Sequence, residues 1–296
     1  SSLIKNIGLP YKLAKSFLMV RSIVKRFKPD AVIGVGGYSS FPVLRVAQAK
    51  RVPTFIHESN SFAGKSNMML GKKATKIFTG TDGMEKFFPK EKIMVTGNPV
   101  RKAITEALVS RKEGIEFFSL EESKTTVLVV GGSLGAKSIN EAIDKGLDEL
   151  LVAGLQIIWQ TGKPYAEKGK QRAAGKQGAW VNEFITQMEY AYAAADIVVA
   201  RAGAMTVAEL CVAKKPVLFV PYPFAAEDHQ TVNAMALIKK NAALMVKDTE
   251  AKQKLVFMTI ELAKDKGKQE ELETNISKLA ITDADVKVAE EILKLI

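Results

Sequence analysis

Short runs rich in Val and Ile recur along the chain, separated by amphipathic stretches. The first set lies at residues 31–35 (Ala31-Val32-Ile33-Gly34-Val35), 54–56, 76–78 and 93–95. A second set lies at 126–130, 155–159, 197–199 and 216–220. Uninterrupted apolar runs of this length are the pattern of parallel strands covered on both faces. Between them, residues 13–27, 138–151 and 205–213 carry helical periodicity, and 249–296 reads as helices with Lys/Glu faces. The alternation predicts an α/β protein with two doubly wound parallel-sheet domains. The joint is expected between 101 and 123, where Gly97-Asn98-Pro99 ends one unit and a charged stretch from Arg111 to Ser123 precedes the next strong strand.

Composition narrows the class. The 296 residues are 47% hydrophobic and 25% charged, which excludes disorder. The single cysteine, Cys211, rules out a disulfide framework, and with two histidines it leaves too few ligands for a zinc site. No apolar run approaches the roughly 18 residues of a spanning helix. The net charge of +11 is unevenly placed: residues 1–120 carry 21 Lys and Arg against 8 Asp and Glu, the remainder 22 against 24. The first part therefore faces an anionic partner or keeps a basic surface for solubility. Nucleic acid is not expected, because no recognised basic or aromatic-interleaved motif is present.

Three glycine turns follow strands. Gly131-Gly132-Ser133-Leu134-Gly135-Ala136 joins the 126–130 strand to a helix, where backbone N–H groups and a helix N-terminus favour a phosphate. It has neither the Walker ending nor the dinucleotide spacing. Gly34-Val35-Gly36-Gly37-Tyr38 is a phosphate cradle or a tight turn. Arg201-Ala202-Gly203-Ala204 precedes a helix carrying Glu209. His57-Glu58-Ser59-Asn60 offers an acid/base pair or a hydrogen-bonded structural His. Glu227-Asp228-His229-Gln230 contributes to a site or starts a helix, and Arg101 is a diphosphate partner or a surface arginine.

These pieces, in this order, resemble the MurG family of undecaprenyldiphospho-muramoylpentapeptide β-N-acetylglucosaminyltransferases. The matching segments are 34–42 (GVGGYSSFP), 57–60 (HESN), 97–101 (GNPVR), 131–136 (GGSLGA), 184–188 (FITQM), 201–209 (RAGAMTVAE) and 227–234 (EDHQTVNA), covering nearly the whole chain. The resemblance implies a GT-B fold: two Rossmann-like domains, here 1–110 with an incomplete N-terminal sheet and 111–280, and a final helix, 281–296, returning to the first domain. Family members begin with a Gly-Gly-Thr-Gly-Gly-His turn whose His is the proposed base. This sequence starts, at Ser1, roughly 65–70 residues into the pattern. The base is thus expected upstream of Ser1, and the chain is expected to have little or no catalytic activity as it stands.

The resemblance also implies an activity and a site. The activity is inverting transfer of N-acetylglucosamine from UDP-N-acetylglucosamine to lipid I, forming lipid II for peptidoglycan. The alternatives are another GT-B lipid glycosyltransferase or a non-catalytic nucleotide-sugar-binding fragment. Donor contacts fall on Asn60, Arg101, Ser133, Met188, Ala204, Met205, Thr206, Val207, Ala208, Glu209 and Gln230. Met188 would pack by uracil and Glu209 would take the ribose hydroxyls. Tyr38, His57 and Glu58 are the catalytic candidates, and Asn140 and Arg201 match further residues tied to activity. Arg101 or Arg201 would stabilise the departing UDP. No cofactor or metal is expected. The protein would sit peripherally on the anionic cytoplasmic face of the bacterial inner membrane. There the apolar residues Ile7, Leu9, Leu13, Phe17 and Leu18, flanked by Lys5, Lys12, Lys15 and Arg21, form a helical face that either meets lipid or packs on the first sheet.

Overall fold

The computed structural model describes residues 9–296, and the chain divides into two compact units: residues up to Asn98 together with Asp283–Ile296, and Pro99–Thr282. The first unit runs α1 (Leu9–Phe27), β1 (Val32–Gly34), α2 (Ser40–Ala49), β2 (Thr54–Glu58), α3 (Lys65–Gly71), β3 (Lys76–Thr79) and β4 (Ile93–Val95). Its strands are parallel and lie in the order β1-β2-β3-β4. Alternation along β2 and β3 explains the unbroken apolar runs. Ile56 and Ile77 pack with Leu44, Leu70 and Phe88. Phe55 and Phe78 turn to the opposite face, stack with centroids 6.0 Å apart, and are covered by Val288.

The second unit contains α4 (Lys102–Thr105), α5 (Arg111–Phe117), β5 (Thr125–Val130), α6 (Lys137–Val152), β6 (Leu155–Gln160), α7 (Ala166–Ala173), β7 (Ala179–Asn182) and α8 (Met188–Ala194). It continues through β8 (Ile197–Ala200), α9 (Ala204–Ala213), β9 (Val217–Phe219), α10 (His229–Ile238), β10 (Leu244–Met245), α11 (Ala251–Lys264) and α12 (Lys266–Ser277). The last helix, α13 (Ala284–Lys294), belongs to the first unit, where Glu291 pairs with Lys76 at 3.3 Å. The six strands of the second unit are parallel in the order β10-β9-β8-β5-β6-β7.

The division falls at 98/99, ahead of the joint expected between 101 and 123 and of the 110/111 boundary drawn within it. Packing decides it: Val100 and Ile104 are buried in the second unit's core. The charged stretch is not a linker either. Ser110 and Glu113 form a capping box that starts α5, and Arg111 clamps Asp196 through Nε and Nη2 at 3.2 and 3.0 Å.

In α1 only Val24 is buried, with Phe17 and Val20 partly so, whereas Leu13 and Leu18 are exposed, Leu18 at 70%. The expected shared face is therefore split: Phe17 turns toward the body and Leu18 away from it. Ser1, Lys5, Ile7 and the side chain of Leu9 lie outside the described residues, as does the base expected upstream of Ser1. No described helix is long and apolar enough to cross a membrane.

Candidate active site

Strand order places the site in the second unit. From β5 the chain winds outward through β6 and β7, then returns to the other side of β5 with β8 and winds outward through β9 and β10. The winding reverses between β5 and β8, and ligands of open α/β sheets bind beyond the carboxyl ends at such a point. Val130 and Ala200, the last residues of these two strands, are in register. The glycine turn 131–136 and the N-terminus of α9 therefore emerge side by side.

The backbone of the turn needs its glycines. Gly132 and Gly135 have φ of +86° and +75°. A Cβ on Gly131 would meet the backbone N of Ala136 at 2.4 Å, and one on Gly135 the carbonyl of Thr161 at 2.0 Å. Ser133 is exposed at the tip. Asn140, buried on the first turns of α6, uses both ends of its amide. Nδ2 donates to the Thr161 carbonyl at 2.7 Å and Oδ1 accepts from Trp159 Nε1 at 2.9 Å. It thus pins the helix behind the turn to the end of β6.

On α9, whose N-terminus has no side-chain cap, Glu209 is held from two sides. Oε1 accepts from Arg101 Nη2 at 3.2 Å and Oε2 from the Tyr192 hydroxyl at 2.9 Å. Burial and the neighbouring carboxylate push the Tyr192 hydroxyl well above its ordinary pKa, so it stays a donor. Met205 is exposed, Ala204 and Thr206 are partly so, and Val207 and Ala208 pack toward the core. Met188 is buried in the same core. Gln230 Oε1 accepts from the Tyr222 backbone at 3.0 Å. Just before it, Glu227 and Asp228 both sit in the left-handed region at φ 49° and 53°, the kind of local strain that clusters at ligand-binding loops.

In the first unit, Glu58 ends β2 as a buried carboxylate with four donors. Oε1 accepts from the backbone N and Nδ2 of Asn60 at 3.2 and 3.4 Å; Oε2 accepts from Gly64 N at 3.0 Å and Asn67 Nδ2 at 2.8 Å. His57 Nε2 lies 3.0 Å from the Gly97 carbonyl. A carbonyl only accepts, so Nε2 carries the proton and Nδ1 accepts from Ser59 Oγ at 3.3 Å. Burial lowers the His57 pKa and keeps the ring neutral. Tyr38, beyond Gly36 and Gly37 at φ +95° and +80°, is 91% exposed.

Residues 126–290 match the glycosyltransferase family 28 C-terminal domain and residues 1–79 its N-terminal domain. A Phocaeicola vulgatus protein named UDP-N-acetylglucosamine--N-acetylmuramyl-(pentapeptide) pyrophosphoryl-undecaprenol N-acetylglucosamine transferase is 49% identical, over 99% of this chain and 79% of its own length. The crystal structure of Acinetobacter baumannii MurG superposes with a TM-score of 0.78 at 30% identity, over 96% of this chain and 79% of that one. The chain belongs to the MurG family. A UDP-GlcNAc 2-epimerase from Neisseria meningitidis, solved with UDP-GlcNAc, shares the fold at a TM-score of 0.68 and 16% identity, over 98% of this chain and 82% of that one.

The fold of the MurG family is thus present, in two α/β units of GT-B type, and the structure shows the surroundings of Arg201 and His57. Arg201 does not reach toward a leaving group. It is 9% exposed, and Nη1 donates to the carbonyls of Val220 and Pro221 at 2.9 and 3.1 Å and to Asp248 Oδ1 at 2.5 Å, while Nη2 donates to Ser138 Oγ at 3.2 Å. These bonds staple the ends of β8 and β9 to α6. His57 has both ring nitrogens engaged, Nε2 by the Gly97 carbonyl and Nδ1 by the Ser59 hydroxyl. Sequence reasoning missed Tyr192, Gln160 and Asn67. Gln160-Thr161-Gly162 repeats the strand-then-glycine signal, but Tyr192 reaches Glu209 only through the packing of α8 on α9. Asp283-Ala284-Asp285 begins α13, where Asp283 pairs with Lys287 at 2.9 Å. Among the described residues no group of three His, Cys, Asp or Glu side chains converges on a metal site.

Proposed function

We propose that the chain works in the inverting transfer of N-acetylglucosamine from UDP-N-acetylglucosamine to the muramic 4-hydroxyl of lipid I. The carrying observation is the switch point. A glycine turn and a helix N-terminus emerge together from β5 and β8, with Glu209 farther along that helix. Backbone N–H groups there suit a diphosphate, and the α9 dipole favours its charge. Glu209, fixed by Arg101 and Tyr192, retains acceptor capacity for the ribose hydroxyls. The 184–188 segment takes the uracil, with Phe184 rather than the buried Met188 at the surface, and Gln230, its Oε1 held by the Tyr222 backbone, would offer its Nε2 to the sugar.

The displacement inverts the anomeric carbon. The acceptor oxygen attacks, its proton passes to a base, and UDP departs with an added charge. Turn amides, the α9 N-terminus and Arg101 would stabilise that charge as it develops. Tyr38 and Glu58 belong to the acceptor side; Glu58 acts there by holding the loop of the donor-contact candidate Asn60, since both its oxygens already accept hydrogen bonds. The acceptor's lipid tail calls for work at an anionic membrane surface on the cytoplasmic side, and exposed Leu18, Met19, Ile23 and Phe27 of α1 lie among Lys12, Lys15, Arg21, Lys25 and Arg26. Incubation of the protein, extended at its N-terminus to the length of its relatives, with radiolabelled UDP-N-acetylglucosamine or UDP-glucose and a lipid I analogue tests the proposal. Label in a lipid-linked disaccharide supports it; transfer of glucose in preference to N-acetylglucosamine contradicts it.

A further inference from the structure

Gln160, the last residue of β6, is 4% exposed and joins two segments that are 28 and 25 positions away in sequence. Its Nε2 donates to the Gly132 carbonyl at 3.1 Å, and its Oε1 accepts from the Ile185 backbone N–H at 2.9 Å. Gly132 lies in the glycine turn; Ile185 lies in the 184–188 segment. A second donor, Gly135 N at 3.0 Å, draws the same Gly132 carbonyl inward.

Among the described residues no peptide bond is cis, and in a planar trans peptide the C=O and the following N–H point opposite ways. Anchoring the Gly132 carbonyl therefore turns the Ser133 N–H away from Gln160, toward the exposed tip of the turn. Anchoring the Ile185 N–H likewise turns the Phe184 carbonyl away from Gln160. One buried amide thus sets two peptide planes. One offers a donor, suited to a phosphate oxygen, and the other an acceptor, suited to a ring N–H such as uracil N3.

We propose that Gln160 is a positioning residue that fixes, from beneath, the spacing and orientation of the diphosphate and base contacts of one nucleotide. The inference rests on the donor-binding assignment above. It predicts that the two halves of the ligand respond differently when the two ends of the amide are altered separately.

In the unmodified protein, amide exchange followed by NMR should show the Ile185 N–H protected with or without ligand. The Ser133 N–H should exchange freely and be slowed by UDP but not by uridine. Titration calorimetry with UDP and uridine then compares variants. Gln160→Glu keeps the acceptor for Ile185 and loses the donor to Gly132, so UDP affinity should fall about tenfold or more while uridine affinity changes less than about threefold. Gln160→Met, of similar volume, loses both bonds and should weaken both ligands. An Ile185 N–H that exchanges freely and is protected only by uridine would overturn the inference. So would equal losses for both ligands in both variants, tracking a common drop in melting temperature. Wild-type protein that binds neither UDP nor uridine would instead reject the donor-site assignment itself.

Discussion

Arg101 donates through Nη2 to Glu209 Oε1 at 3.2 Å, across 108 positions of sequence. The contact ties the start of α4 to α9 and leaves the guanidinium about half exposed. Glu209 is the less exposed partner and has the Tyr192 hydroxyl on its other oxygen. The two residues should therefore differ as mutants. Glu209→Ala should weaken uridine-nucleotide binding by about 1–3 kcal/mol, the scale of a lost hydrogen bond to a charged group. Arg101→Ala should cost less in uridine binding and more in UDP binding, because its free face is cationic. Calorimetry with uridine and UDP separates them; an unchanged affinity in Glu209→Ala removes the ribose assignment.

Arg201 predicts a stability effect. Replacing it by Ala leaves Asp248 without its guanidinium and two buried carbonyls, of Val220 and Pro221, without a donor. Breaking a buried pair in this way costs about 3–5 kcal/mol. Urea unfolding should show that loss. A variant as stable as the parent would mean that the staple at the ends of β8 and β9 carries nothing.

His57 predicts a pH dependence. Its folded pKa lies below the ordinary 6.5 because burial disfavours the charged ring. Between the folded and unfolded values the unfolded chain binds more protons, so this group's contribution is present above pH 6.5 and is lost as pH falls through the folded value. Urea midpoints measured from pH 7.5 down to 5 should fall more steeply for the parent than for His57→Gln. Parallel slopes would contradict the assignment of a neutral, hydrogen-bonded ring.

The α1 surface predicts salt-sensitive attachment. Basic groups near an anionic leaflet contribute about 1 kcal/mol each, and charge reversal at exposed Lys12, Lys15 and Arg21 should abolish co-sedimentation with anionic vesicles. Equal binding to neutral vesicles, or none to either, would count against a peripheral site on this helix.

Much of this was legible in the sequence, for physical reasons that differ along the chain. Strands buried on both faces, such as β5 and β6, leave unbroken apolar runs, and a glycine turn leaves its glycines. Strands β7 and β10 left no such mark: they lie at the edges of the second sheet, are only half-buried, and β10 is two residues long. The boundary at 98/99 was hidden because charge reports surface, while Val100 and Ile104 report core. At the site, residue types named Glu209 and Arg201 equally well, but only packing distinguishes a partly exposed carboxylate with acceptor capacity left from a buried guanidinium held by Asp248, Ser138 and two carbonyls.

The central claim is that the switch point of the second sheet binds a uridine-diphosphate sugar. Titration calorimetry of the chain with UDP-N-acetylglucosamine tests it most directly, with Glu209→Ala and Ser133→Pro, which removes the Ser133 N–H, run beside the parent. The account predicts saturable binding of one donor per chain, displaced by UDP and weakened in both variants. No saturable binding by the parent, or binding that both variants retain in full, would contradict it.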